Sequence, residues 1–291
     1  MLEGTLTALI TPFRNGELDE EALRGLIERQ IEAGIDGLVP CGSTGESATL
    51  SYEEHHRVVE IVIDATAGRV PVIAGTGSNS TREAIDFTLH AKRAGADGAL
   101  LLSPYYNKPT QEGIFQHYAS VARETAFPLV VYNIPGRTAS NILPETIGRL
   151  ARIENIIGVK ESSGDLDQIA HVVACCPADF SVVSGDDALT LPLLSVGGKG
   201  VISTSSNVAP ADVRELVRRF TSGDSVAALE MHHRLLPLFD ALFCETNPIP
   251  VKAAVAALGL CDGEIRLPLT PVTDANLERL KVVMKDLGIL Q

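Results

Sequence analysis

An α/β fold of the (β/α)8 type, extended at its C-terminus by helices, is the fold class this sequence predicts, and three observations predict it. Eight short apolar runs, rich in β-branched residues, recur with helical patterns between them. Successive runs begin roughly 30 residues apart, the length of one strand–helix–strand unit. Each run is apolar on both faces, as a parallel strand covered by helices must be, and eight such strands close a TIM barrel.

In order, the runs are TLTALI from Thr5, GLVP from Gly37, PVIAG from Pro71 and GALLL from Gly98. PLVVYN from Pro128, IIGVK from Ile156, FSVVSG from Phe180 and GVIST from Gly200 complete the set. The segments between them carry helix signals. From Asp19 to Gly34, Leu23, Leu26, Ile27 and Ile31 fall on one face, and Gly34 supplies a left-handed stop. Ser51 with Glu54, and Ser80 with Glu83, fit the capping box that satisfies the first free amides of a helix. AGIDG (33–37) and AGADG (94–98) repeat one helix-to-strand turn, as expected of a repeated unit. After about Pro210 the strand signal ends, and helical patterns continue with breaks near Gly223, Thr246–Pro250 and Gly259–Pro271. The expected division is a catalytic barrel over 1–223 and an α-helical region over 224–291.

The composition sets further bounds. The chain has 291 residues, 45% hydrophobic and 21% charged, which suits one globular unit with a large core. No apolar run approaches the roughly 20 residues that cross a bilayer, so no membrane association is expected. The start, MLEGTLTALITPF, lacks the basic segment and cleavage site of a signal peptide. Five cysteines, odd in number and without a CxxC pair, favour reduced thiols over a disulfide framework. A cytoplasmic location is therefore expected. The formal net charge of −13 argues against a nucleic-acid partner, and an anionic substrate would need a local cationic site.

In such barrels the reactive groups stand where strands end and the following loops begin. That rim collects Lys160 at the end of the sixth run, Tyr132 in the fifth, Gly185 at the end of the seventh and Ile202 in the eighth. A solvated lysine has a pKa of about 10.4 and is a poor nucleophile, whereas one removed from water can form a Schiff base with a carbonyl substrate. The alternative for Lys160 is a solvated strand-end charge or a pair with Glu161. GSTGES (42–47) is a glycine-punctuated turn whose amides and the hydroxyls of Ser43 and Thr44 could hold a carboxylate, or it simply leads into a capped helix. The Tyr132 phenol could pass protons, or serve as an amphipathic core residue. Arg137, in a Pro-Gly turn, could grip a second carboxylate, or be a surface arginine. The glycine run GGKG (197–200) precedes its strand, so it belongs to the opposite rim. His55–His56 and His232–His233 are sequence neighbours pointing about 100° apart on a helix, so neither pair makes a metal site by itself.

Taken together, GSTGESATLS, PYYNKPTQEG, YNIPGRT, GVKESSGD, SGDDALTLP and CETNPIPVK stand in the order and spacing of one family. The chain resembles dihydrodipicolinate synthase, of the pyruvate-dependent class I aldolases, essentially end to end. The resemblance implies that Lys160 forms the Schiff base with pyruvate and that Tyr132, Ser43 and Tyr106 form a proton relay. Tyr106 would reach in from a neighbouring subunit, so a homotetramer built from two tight dimers is implied. Thr44, Gly185 and the backbone around Ile202 match substrate contacts. Arg137 matches the residue that receives the carboxylate of L-aspartate 4-semialdehyde. No metal and no organic cofactor are implied. Where this chain has Ser43 the family usually has threonine; the hydroxyl is kept and the methyl that restricts its rotamers is lost. Serine there is also similar to N-acetylneuraminate lyase, a sister family, but Arg137 and CETNPIPVK fit the synthase better. Another pyruvate aldolase acting on a sugar acid, or a silent keto-acid-binding barrel, are the alternative readings. Ser47, Ala48, His55, Asn79, Glu83 and Tyr105 stand where the family binds L-lysine as an inhibitor. Tyr52 replaces a histidine often found in lysine-sensitive members, and the Ser80 cap competes for Glu83.

Overall fold

The computed structural model describes residues 2–290. β1 (Gly4–Ala8) leads into a small hairpin, β2 (Phe13–Arg14) and β3 (Glu17–Leu18), and then α1 (Glu20–Glu32). There follow β4 (Gly37–Val39), α2 (Tyr52–Thr66), β5 (Ile73–Gly75), α3 (Thr81–Ala94), β6 (Gly98–Leu102) and α4 (Gln111–Thr125). β7 (Leu129–Asn133) is succeeded by α5 (Pro135–Thr138) and α6 (Pro144–Leu150), β8 (Ile156–Glu161) by α7 (Leu166–Cys175). β9 (Ser181–Ser184), α8 (Thr190–Ser195) and β10 (Gly200–Ser203) complete the barrel. Helices α9 (Pro210–Thr221), α10 (Ser225–Leu242), α11 (Ile249–Ala257) and α12 (Asp274–Asp286) follow.

All eight predicted runs form strands of one parallel sheet, in the order β4-β1-β10-β9-β8-β7-β6-β5. A parallel bridge between Leu38 and Val72 joins its two outermost strands, so the sheet curls round into a barrel. Leu6, Val39, Ile73, Leu100, Val130 and Ile202 fill the barrel interior, while a larger apolar layer packs the sheet against the surrounding helices. A third cluster unites Ile10, Leu26 and Val201 with α9 to α12. The charged chain thus spends its apolar residues on three contiguous layers, which is where the stability of such a fold lies.

The repeated turns do the same work twice. After α1, Gly34 takes φ +79° and the Asp36 carboxylate accepts from the Thr5 amide at 2.8 Å. After α3, Gly95 takes φ +98° and Asp97 accepts from the Val72 amide at 2.8 Å. Each aspartate ties the strand it precedes to the start of the neighbouring one. The hairpin was not foreseen, although Asn15 and Gly16, both left-handed at φ +56° and +84°, are a turn pair that calls for one. On α1, Gln30 rather than Ile31 is the fully buried fourth residue, accepting from the Thr7 hydroxyl at 2.8 Å and donating to the Ser206 carbonyl at 2.9 Å. Ser51 and Glu54 form the expected capping box.

Candidate active site

Lys160 and Tyr132 are register partners on adjacent strands, β8 and β7. Their side chains project to the same side, into the barrel mouth, and the Lys160 Nζ lies 4.4 Å from the centre of the Tyr132 ring. Both residues are buried, at 5% and 6% exposure. Among the described residues the amine forms neither an ion pair nor a hydrogen bond. Glu161 does not neutralise it, because strand alternation sends that carboxylate to the opposite face. There it accepts from Asn133 Nδ2 at 3.0 and 3.2 Å and from the Ser163 amide at 2.7 Å. The exposed and ion-paired alternatives for Lys160 are thereby excluded.

A cavity of about 50 Å³ opens around the amine, walled by Tyr132, Arg137, Gly185, Ser43, Thr44 and Thr204. Gly185 makes room for the lysine stem: a Cβ there would stand 2.6 Å from Lys160 Cε and 1.9 Å from Ser162 Oγ. The polar wall is one hydrogen-bonded chain. Thr204 Oγ1 and Thr44 Oγ1 lie 3.3 Å apart, Asn247 Nδ2 donates to Thr44 Oγ1 at 3.0 Å, and Arg137 Nη2 donates to the Asn247 carbonyl at 2.8 Å. Four separate segments are joined in this way across the mouth. Behind them Asp187, wholly buried, accepts from the Thr204 and Ser205 amides at 3.1 and 2.9 Å and from the Ser205 hydroxyl at 2.8 Å. Burial pushes its carboxyl above the ordinary range, with the Ser203 and Ser205 hydrogen bonds opposing.

The sequence-predicted residues divide accordingly. Lys160, Tyr132, Ser43, Thr44, Arg137 and Gly185 come together at this cavity. Ile202 does not border it: fully buried, it belongs to the interior layer one step deeper, and Thr204, on the same face two residues on, forms the wall. Tyr106 is also apart. It is 90% exposed, with a left-handed φ of +72°, in the loop after β6. Sequence reasoning missed Thr204 and Asn247 as wall residues; the eighth run and CETNPIPVK contained them, but neither residue type carries a chemical signal of its own.

A second cavity, of about 450 Å³, adjoins the first and shares Ser43, Tyr132, Arg137 and Asn247 with it. Ser47, Ala48, His55, Glu83 and Tyr105 line it, together with Tyr52. Asn79 does not; its amide donates to the Tyr105 carbonyl at 3.1 Å and so braces the loop instead. The Ser80–Glu83 capping box is only half formed. Ser80 Oγ accepts from the Glu83 amide, but the Ser80 amide donates to Ser78 Oγ at 3.0 Å. Glu83 is thereby free to accept from Ser78 Oγ at 2.6 Å and from the Tyr52 hydroxyl, and these hydrogen bonds hold its carboxyl below the usual range. His55 donates from Nε2 to the Gly75 carbonyl at 2.8 Å, and burial lowers its pKa to about 4.

Beside the larger cavity, which Glu46 lines, lies an ion pair that sequence reasoning did not single out. Glu46, left-handed at φ +54°, pairs with Lys252 of α11, and both side chains are 1% exposed. Lys252 Nζ and Arg266 Cζ lie 4.2 and 4.0 Å from the centre of the Phe13 ring, and the Arg266 amide donates to Glu46 at 3.2 Å. Burial lowers the Lys252 pKa, and Glu46 opposes that shift. The GSTGES loop is thus fastened from below by a helix of the C-terminal region. Among the described residues no group of three His, Cys, Asp or Glu side chains is placed to hold a metal ion, and no helix is long and apolar enough to cross a membrane.

Comparison with known proteins agrees over the full length. The model of the dihydrodipicolinate synthetase family matches residues 1–287. A protein of Syntrophus aciditrophicus named 4-hydroxy-tetrahydrodipicolinate synthase is 59% identical over 290 residues, covering 100% of both chains. The solved structure of the 4-hydroxy-tetrahydrodipicolinate synthase of Methylacidiphilum fumariolicum SolV superposes with a TM-score of 0.98 at 49% identity, over 99% of this chain and 96% of that one. The Acinetobacter baumannii enzyme complexed with pyruvate gives 0.98 at 43% identity, covering 100% of both chains. The Cyanidioschyzon merolae enzyme with lysine bound gives 0.97 at 43%, over 99% of both. With a family model spanning nearly the whole chain, and the lysine, phenol and arginine of its motifs gathered at one barrel mouth, this chain belongs to the dihydrodipicolinate synthetase family.

Proposed function

We propose that this chain condenses pyruvate with L-aspartate 4-semialdehyde, as a 4-hydroxy-tetrahydrodipicolinate synthase of lysine and diaminopimelate biosynthesis. The observation that carries the reading is the buried, unpaired Lys160 amine set over the Tyr132 ring. The amine attacks the keto carbon of pyruvate, water leaves, and the resulting iminium withdraws electrons from the methyl carbon. Loss of a methyl proton gives the enamine, which attacks the aldehyde. The semialdehyde amine then displaces Lys160 as the ring closes. Proton transfers in these steps fall to the Tyr132 phenol and the Ser43 hydroxyl, which line the same cavity.

Thr44 and its neighbours are the expected seat of the pyruvate carboxylate, and Arg137 that of the semialdehyde carboxylate. The arginine supplies local positive charge in a chain of net charge −13. It also favours this synthase over a pyruvate aldolase of the sugar-acid type, whose aldehyde partner need carry no carboxylate for an arginine to hold. Tyr106, exposed here, completes the relay if a second copy of the chain inserts it, within a tetramer of two tight dimers. L-lysine is the proposed effector of the larger cavity, where the Glu83 carboxylate would receive its ammonium. The Tyr52 hydroxyl already occupies that carboxylate, which predicts weak inhibition. Free thiols at the cysteines fit a cytoplasmic location.

A coupled assay supplied with both substrates, with and without L-lysine, tests the proposal. Turnover that requires both substrates is expected; a folded protein that turns over neither would refute it.

A further inference from the structure

The rung that carries the reacting pair has a second pair immediately beside it. Asn133 is the register partner of Glu161, as Tyr132 is of Lys160. Because side chains alternate along a strand, Tyr132 and Lys160 face the cavity while Asn133 and Glu161 face the helix layer. Asn133 and Glu161 are 0% and 1% exposed. Asn133 Nδ2 donates to both Glu161 oxygens, at 3.0 and 3.2 Å.

Both members are tied to the loops on either side. Asn133 Oδ1 accepts from the Ile142 amide at 2.9 Å, and Glu161 Oε1 accepts from the Ser163 amide at 2.7 Å. Asn141 Oδ1 accepts from Asn133 Nδ2 at 2.9 Å, and Asn141 Nδ2 donates to Gln168 at 2.6 Å. The Glu161 carbonyl also accepts from the Gly185 amide at 2.8 Å, which sets the glycine that borders the Lys160 stem.

These two strands have reason to need such a device. A one-residue slip would turn every side chain to the other face. Strands that are apolar on both faces, as LVVY and IIGV are, offer no polar alternation to forbid it. The pairing already contains one slip: Leu129 faces Ile156, but Val130 faces Gly158, so Ile157 is an extra residue in β8. Apolar packing alone tolerates both registers within a single pair of strands. The polar rung fixes the one that matters.

We propose that Asn133 and Glu161 are positioning residues that lock the β7–β8 register and thereby hold the Tyr132 phenol against the Lys160 amine. The inference rests on the proposed role of Lys160 as the Schiff-base lysine. Burial pushes the Glu161 carboxyl upward, and the hydrogen bonds from Ser163 and then Asn133 oppose that shift, so Asn133 supplies part of the polar compensation this buried group needs.

The test uses the full chain, the variants Asn133→Asp and Glu161→Gln, and the exchange of both. Asn133→Asp sets two carboxyls face to face, and Glu161→Gln leaves one donor without an acceptor. The exchange again sets one donor against one acceptor. Borohydride trapping of pyruvate at Lys160 is timed for each, alongside the thermal midpoint. Each single variant should slow trapping about tenfold or more, and the exchange should recover it to within about threefold of the parent. Single variants that trap within about twofold of the parent, or lower midpoints with an unchanged rate per folded molecule, would overturn the proposal. Should the single variants fail to fold, restored folding and trapping in the exchange support it; an exchange that stays slow or unfolded overturns it. A parent protein that is not trapped at all defeats the Schiff-base reading instead.

Discussion

Lys160 and Tyr132 sit opposite one another across β8 and β7, and the amine is 4.4 Å from the ring centre. Two long side chains on one barrel rung fit this geometry because Gly185, the residue that follows the third strand, β9, presents no side chain. The consequences of that arrangement can be measured.

Gly185→Ala should disable the site more than the fold. Its methyl would displace the Lys160 stem, and a misplacement of about 1 Å costs about 10²-fold in rate. Overpacking of this kind costs about 1–3 kcal/mol in stability. Steady-state turnover beside denaturant unfolding checks both; an alanine variant with parental turnover would show that the lysine stem has room to spare.

Arg137→Ala should separate the two substrates. Loss of a charge-assisted hydrogen bond to a carboxylate is worth about 1.5–3 kcal/mol, or about 10- to 150-fold in kcat/KM for the semialdehyde. Reductive trapping of pyruvate should continue, because Lys160 and Tyr132 are untouched. Equal damage to both would mean that the guanidinium serves the whole mouth through its bond to the Asn247 carbonyl.

Lys252→Met should be costly out of proportion to its distance from the amine. Removing one partner of a buried pair strands the other charge, here Glu46, at about 3–5 kcal/mol. Glu46→Gln combined with Lys252→Met should recover a large part of that loss. Denaturant midpoints of the parent and the two variants decide the matter, and a Lys252→Met variant costing under about 1 kcal/mol would contradict the account.

Acid should weaken the fold through two buried histidines. His55 and His117 are held neutral by burial, with pKa values lowered from 6.5 to about 4. The unfolded chain therefore binds protons between those values that the folded chain does not, and stability is lost as pH falls from about 6.5 to 4. Each histidine contributes on the order of 3 kcal/mol to that loss. Glu161 and Asp187, raised by burial, work in the opposite sense, stabilising the folded state as they protonate. The contribution of one histidine is isolated by comparing the parent with His117→Phe. The variant's stability should fall less between pH 7 and 4, whereas parallel profiles would show that His117 does not titrate in this range.

The barrel was legible because its signal is repeated. Eight apolar runs and two copies of the Gly-Asp turn marked the repeated units of a parallel barrel, and the aspartates of those turns each bond the neighbouring strand. Lys160 and Tyr132 were legible for the same reason, as polar residues at the ends of apolar strands. Thr204, Asn247 and the Glu46–Lys252 pair were hidden because their roles arise between segments 160 to 206 residues apart. The Glu83 cap was misread in part: Ser78, which takes over the Ser80 amide, stands outside the four-residue motif. Asn133 and Glu161 lie within motifs already quoted, yet only the register shows that they face each other.

The most direct test of the account is mass spectrometry of the purified chain after borohydride reduction in the presence of pyruvate. One reduced pyruvyl adduct, mapped to Lys160 and absent from Lys160→Ala, is the predicted result. A folded protein that carries no adduct, or carries it on a different lysine, would contradict it.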